Sequence, residues 1–269
     1  MDHAYTRLTT GQLSIASGLV LVSAGASMAL SLGIERGLLV AAVRMVAQLM
    51  AVGLILDWVF ALDHPAAVAL VLVAMTLIAG VSAGWRAGAS YRGMIANGLI
   101  GVTLGSWGAS AIALLVVVRV HPWYTPQFAI PLVGMILGNT MNGVSLGLDR
   151  LTSELVARRG QVESTLALGA TRWEAALPII RSSVRTGLIP TINTMAAAGI
   201  VTLPGMMTGQ MLAGATPLDA VKYQMVIMFL MTFAIVAGSI VAAILAFRRL
   251  FTADHQLDLS RLVERKAGG

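Results

Sequence analysis

Few side chains in this chain could do covalent chemistry, and their spacing excludes more than it allows. There is no cysteine, so disulfides, thiolate nucleophiles and thiolate metal sites are ruled out. The lysines are Lys222, after Val221, and Lys266, after Arg265. A nucleotide-binding loop needs Lys directly after Gly, with a second Gly five residues before the first, so that backbone amides and the ammonium cradle phosphates. The chain cannot hydrolyse ATP by that route. Gly143-Val144-Ser145-Leu146-Gly147 matches the hydrolase elbow letter for letter. That elbow requires a strand-to-helix turn, whereas this stretch reads as the interior of a helix. A Ser nucleophile also needs a base within hydrogen-bond reach, and His3, His64, His121 and His255 fall at segment ends or in the tails. No catalytic residue is expected, and no metal ligand set of carboxylates and imidazoles can be assembled.

Non-covalent chemistry has better candidates. Glu163 precedes Gly169 by six residues, and Leu166, Ala170, Trp173 and Leu177 follow helical spacing. A short amphipathic helix of this kind can lie on lipid, pack on its own bundle, or dock into a groove on a partner. Asn139 and Asn142 sit in an apolar run. Unpaired amides in lipid are costly, so they are expected to face protein or a cavity. Met206, Met207 and Met211 supply thioethers, and Thr208 and Gln210 supply oxygens, within a glycine-rich stretch that could form a gate or touch a substrate. Thioethers suit soft cations, and methionine is also an ordinary filler of apolar gaps. Arg44 reads as a residue snorkelling to an interface, and Asp57 and Asp63 as solvated charges near the opposite face.

The elements that carry these residues must lie in a bilayer. The sequence is 57% hydrophobic and 11% charged, against about 25% charged in soluble domains. Residues 8–34, 93–118, 120–148, 186–218 and 223–247 contain no Asp, Glu, Lys or Arg, and about 20 apolar residues cross a hydrocarbon core. The expectation is an all-α polytopic protein, a single transmembrane domain with about seven helices near 12–32, 38–58, 66–84, 97–118, 127–149, 186–204 and 221–247. Segment 150–185 then connects helices five and six, and 248–269 forms a tail. No cleavable signal peptide is read at the N-terminus, where only Arg7 precedes a long apolar segment.

Seven crossings place Arg36, Arg86, Arg92, the six arginines of 150–185 and the basic residues of the tail on one side. Arg7, Arg119 and Lys222 fall on the other. Basic residues collect in cytoplasmic loops, so the N-terminus is expected outside and the C-terminus inside. The net charge of +6 then needs no nucleic-acid partner. Segment 186–218 is too long for one crossing and holds Pro190, Gly199, Pro204, Gly205, Gly209, Gly214 and Pro217. It reads as a helix followed by a broken or re-entrant piece near 204–218. Gly101/Gly105, Gly134/Gly138, Gly143/Gly147 and Gly205/Gly209 have the small-xxx-small spacing of closely packed membrane helices.

The spacing from Glu163 to Gly169 resembles the coupling loop of ABC-transporter membrane subunits, although Ser164 and Thr165 stand where that family's motif has alanines. A broader resemblance rests on three blocks in order: Pro131 to Asn142, Leu166 to Thr171, and Leu203 to Gly214 with Tyr223-Gln224 after it. These are similar to the FetB family, the membrane subunits of bacterial ABC exporters linked to iron, with plant relatives tied to aluminium tolerance. The resemblance implies a bacterial inner-membrane permease, paired with a separate ATPase and dimeric, moving a metal or metal complex out of the cytoplasm. ATP and magnesium would be used by that partner, with no cofactor bound by this chain. Glu163, Leu166, Gly169, Ala170 and Trp173 would dock the ATPase. Asn139, Asn142, Met206, Met207, Thr208, Gln210, Met211 and Gln224 would line the substrate pathway. The alternatives are an ion-gradient-driven secondary transporter, and an ABC permease for a non-metal substrate such as a nucleotide sugar.

Overall fold

A computed structural model describes residues 9–62, 64–86, 89–252 and 254–264. Arg7, Asp63, Arg265 and Lys266 lie outside the described residues. The chain divides after Leu62 into two compact units, where the sequence reads as one transmembrane domain.

The first unit is a pair of helices, α1 (Thr10–Ala29) and α2 (Glu35–Leu62). A capping box starts α1: the Thr9 hydroxyl accepts from the Gln12 amide, and the Gln12 side chain accepts from the Thr9 amide. Across the turn, the Ser27 hydroxyl donates to Glu35 at 2.9 Å. Val59 is the one residue of α2 that is buried, and Leu49 and Leu54 are 63% and 72% exposed. An apolar face that open requires lipid as its solvent. Arg44 lies on this open helix.

The second unit holds α3 (Pro65–Trp85), β1 (Ala89–Tyr91), α4 (Met94–Ala111), a π-helical turn (Ile112–Val117), α5 (Pro126–Ala157), α6 (Arg159–Ala167), α7 (Arg172–Ala197), α8 (Gly205–Leu212), α9 (Pro217–Leu250) and β2 (Leu262–Glu264). Apart from the β1–β2 pair, which is antiparallel with Ala89 opposite Glu264, the architecture is all-α. Helices α5 and α9 form its centre: Ile136, Val144, Leu148 and Leu151 of α5, and Ile227, Ala234 and Ala246 of α9, are buried.

Close backbone approach organises this bundle. A Cβ on Gly105 would lie 2.8 Å from the Gly238 amide nitrogen, and one on Gly238 would lie 2.9 Å from the Gly101 carbonyl. Helices α4 and α9 therefore meet backbone to backbone, with nothing larger than the Ala242 methyl beside Gly101, which is how membrane helices gain dispersion contact that lipid cannot supply. Gly143 and Gly187 bring α5 and α7 together in the same way. The spacing rule succeeds for Gly101/Gly105. It fails for Gly205/Gly209, where an added Cβ would meet nothing within 4 Å, so the glycine face of α8 is not the one that packs on α9.

Among the described residues, six helices are long and apolar enough to cross a membrane, by length and composition: α1, α2, α3, α4 with its π turn, α5 and α9. The expected crossing at 186–204 is instead the second half of the longer α7. A capping box of Thr171 and Glu174 starts α7 at Arg172, and its first half carries Arg172, Glu174, Arg181 and Arg185. It stops at Ala197, before Gly199, whose φ is +83°. The expected connection 150–185 is itself helical, divided among the end of α5, α6 and the start of α7. The piece near 204–218 is the eight-residue α8 with turns on either side.

Candidate functional site

The best-defined polar architecture lies where α5, α6 and α7 meet. Helix α5 ends at Arg158, whose φ of −106° and ψ of 21° interrupt the helix before α6 begins. Val162 of α6 is buried, while Glu163 is exposed and paired with Arg159 at 2.7 Å. The end of α6 is a Schellman motif. The Gly169 amide donates to the Leu166 carbonyl at 3.0 Å, and the Ala170 amide donates to the Thr165 carbonyl at 3.3 Å. Gly169 has a φ of +92°, a conformation that costs any L side chain steric strain. The Thr171–Glu174 capping box follows at once, with the Thr171 amide donating to Glu174 at 2.8 Å. That backbone hydrogen bond, and then the Thr171 hydroxyl, hold the Glu174 carboxyl below the usual carboxylate range.

Stopping one helix and starting the next within four residues leaves Leu168 at the tip, 89% exposed. Leu166, which helical spacing places at the docking face, is half-buried, as is Ala170. Trp173 is 42% exposed and packs edge-on against Phe247 of α9, with ring centroids 5.4 Å apart. A small cleft between α6 and α7 has Arg158, Val162, Thr165, Glu174 and Pro178 in its walls.

Glu154 of α5, not among the residues singled out from the sequence, anchors this element from below. It is 4% exposed. It pairs with Arg150 at 2.5 Å and with Arg158 at 3.7 Å, and it accepts from the Ser182 hydroxyl of α7 at 2.9 Å. The spacing of Arg150, Glu154 and Arg158, one helical turn apart each, was the available signal. The link to Ser182 had none.

The pathway candidates do not converge on one point. Asn139 donates to its own Met135 carbonyl at 2.8 Å and to the Met231 sulfur at 3.3 Å. Asn142 is exposed rather than buried, and accepts from Arg86 at 3.1 Å. Met206, Met207, Thr208, Gln210 and Met211 all lie on α8, which packs on α9; Met207 is buried and the Thr208 hydroxyl returns to the Pro204 carbonyl. Gln224 and Tyr223 of α9 carry buried side-chain oxygens with no hydrogen-bond partner. Ser145 is buried within α5, which leaves no elbow. Among the described residues no three His, Asp or Glu side chains come together as a metal site.

These features define a polytopic all-α membrane protein in which helix ends, loops and close crossings, rather than a catalytic constellation, hold the distinctive chemistry. The chain belongs to the uncharacterised protein family UPF0014, which it matches over residues 10–251. It is 40% identical over 263 residues to the UPF0014 membrane protein slr1647 of Synechocystis, covering 96% of this chain and 99% of that one. It is 31% identical to the probable iron export permease protein FetB of Escherichia coli, covering 96% and 98%. It is 31% identical to the protein ALUMINUM SENSITIVE 3 of Arabidopsis thaliana, covering 92% and 90%. No solved structure matches the chain.

Proposed function

We propose that this chain is the membrane-spanning subunit of an ATP-driven ABC exporter, in which the α6–α7 loop docks on a separate ATPase. It works as a homodimer in the bacterial inner membrane. Its N-terminus is outside and its C-terminus cytoplasmic, with α7 as the seventh crossing. The cargo is iron or another metal, free or complexed; the name of the E. coli relative supports that reading.

The observation that carries the docking role is Leu168. A leucine 89% exposed at the tip of a tight helix–helix turn is poorly placed for water. It is well placed to enter an apolar notch, the way helix-in-groove contacts are anchored. Glu163 lies on the exposed face of α6 and Gly169 sets the turn. Behind the tip, the Glu154–Ser182 link and the Trp173–Phe247 contact join the loop to α5, α7 and α9. Closure of the ATPase would thus move helices as rigid bodies.

The test is affinity purification of the tagged chain from native membranes. A stoichiometric ATPase is expected with the natural chain and is expected to be lost with Leu168→Asp, Glu163→Arg or Gly169→Trp, while folded yield is kept. A chain that purifies alone, and still moves substrate down an ion gradient, would overturn the reading.

A further inference from the structure

The C-terminal segment does not simply leave α9. Its described residues fold back as a closed loop: the Thr252 amide donates to the Gln256 carbonyl at 2.9 Å, the Gln256 amide to the Thr252 hydroxyl at 3.2 Å, and the Asp258 amide to the Leu250 carbonyl at 2.9 Å. At the tip of this loop His255 is held at a φ of +57°, a conformation uncommon for a residue with a side chain and one that persists only when its surroundings impose it. What the tip reaches is the start of α7. The backbone N–H of Arg172 donates to His255 Nδ1 at 2.9 Å, and the Arg172 guanidinium donates to the Thr252 carbonyl at 2.8 Å.

Arg172 is the first residue of α7, and the first N–H groups of a helix have no partner within it. The capping box satisfies the Glu174 amide, and His255, 83 positions away in sequence, satisfies that of Arg172. The guanidinium also sits over the Phe247 ring, 5.9 Å from its centroid, and Phe247 packs on Trp173 and Phe251. Farther along, Arg261 donates to the Arg249 carbonyl at 2.8 Å, and β2 pairs with β1 in the α3–α4 connection. One short segment therefore touches the exit of the α6–α7 loop, the end of α9 and the entry to α4.

We propose that the described residues 251–252 and 254–264 form a strap, with His255 as its positioning residue, that ties the α6–α7 loop to α9 and to the α3–α4 connection. Movement of the loop then passes to α9 and, through the Gly101–Gly105–Gly238 crossing, to α4, as well as along α7. The role in transport rests on the docking reading above; the strap itself does not.

The experiment compares His255→Ala with His255→Asn. The Asn side-chain oxygen occupies the place of Nδ1, and Asn tolerates a positive φ, so it is expected to restore the cap. In the chain alone in nanodiscs, amide hydrogen exchange in His255→Ala is expected to rise at least tenfold at 171–175 and, together with it, at 89–91 and 262–264. His255→Asn returns both to the natural level, and the global unfolding midpoint stays unchanged. In the complex with its ATPase, His255→Ala is expected to keep stoichiometric association but to lose severalfold in substrate moved per ATP hydrolysed, again restored by Asn. Exchange unchanged in His255→Ala, or raised at 171–175 without the strands, would overturn the strap. Loss of association in His255→Ala would assign the tail to docking instead and overturn the transmission role. An absent ATPase with intact Leu168 would defeat the docking reading, while the exchange result would still decide the strap.

Discussion

Glu154 and Ser182 meet at 2.9 Å between α5 and α7, where the Glu154 carboxylate is buried beneath the α6–α7 loop. The contact joins the helix that enters the loop element to the helix that leaves it. Its energetics differ for the two partners.

Glu154 is shared by Arg150, Arg158 and Ser182, and its second oxygen has no partner. Removing the carboxylate takes away the acceptor of the half-buried Ser182 hydroxyl, which keeps only the long 3.4 Å contact from Arg150, and strips Arg150 and Arg158 of their counter-charge. Glu154→Ala is expected to destabilise by about 3 kcal/mol, the low end for a broken buried pair because the arginines are half exposed. Ser182→Ala is expected to cost about 1 kcal/mol, the net worth of one hydrogen bond. Reversible unfolding in mixed micelles, run as a double-mutant cycle, checks both values. Additive losses would show that the two side chains do not act together.

Gly105 and Gly108 lie three residues apart on α4 and should respond oppositely to one methyl group. At Gly105 an added Cβ would press into the α9 backbone at Ala234 and Gly238, and at Gly108 it would meet nothing within 4 Å. Gly105→Ala is expected to destabilise by roughly 2 kcal/mol through overpacking. Gly108→Ala is expected to be neutral or stabilising by several tenths of a kcal/mol, since Ala is the better helix former. Unfolding midpoints of the two variants measured side by side decide it. Equal effects would mean that α4 and α9 are not in backbone contact.

Glu174 gives the loop a pH dependence of known sign. Its carboxyl is held below the usual range by the Thr171 amide and hydroxyl. A lowered folded-state value contributes stability that is present above the ordinary carboxylate range and is lost as pH falls through the folded value. The difference in unfolding midpoint between the natural chain and Glu174→Gln is therefore expected to be open at neutral pH and to close on acidification below that range. A gap independent of pH would remove the charge from the capping argument.

Much of the candidate site was legible because its signals are local. The Glu163–Gly169 spacing pointed to the α6–α7 loop, and both helix boundaries are written nearby, in Gly169 and in Thr171 with Glu174. Leu168 was missed because helical spacing selects Leu166, on the face that packs, whereas the tip belongs to no face. The joined length of α7 was missed because charges at its start and apolar residues at its end suggested two segments; the capping box at Thr171 was the signal that they are one.

The sequence by itself determined that the chain is all-α and membrane-spanning, and roughly where its apolar helices lie. A bilayer demands long uninterrupted apolar runs with their hydrogen bonds made internally, and that is a property of each segment alone. Only the tertiary structure decided which helix faces meet. In lipid every face is apolar, so periodicity says little about which side is covered. The pairs that matter are far apart in the chain: Glu154 with Ser182, Gly105 with Gly238, and Arg172 with His255. Each exists because helix crossings and a returning tail bring it together, and no local rule encodes a crossing.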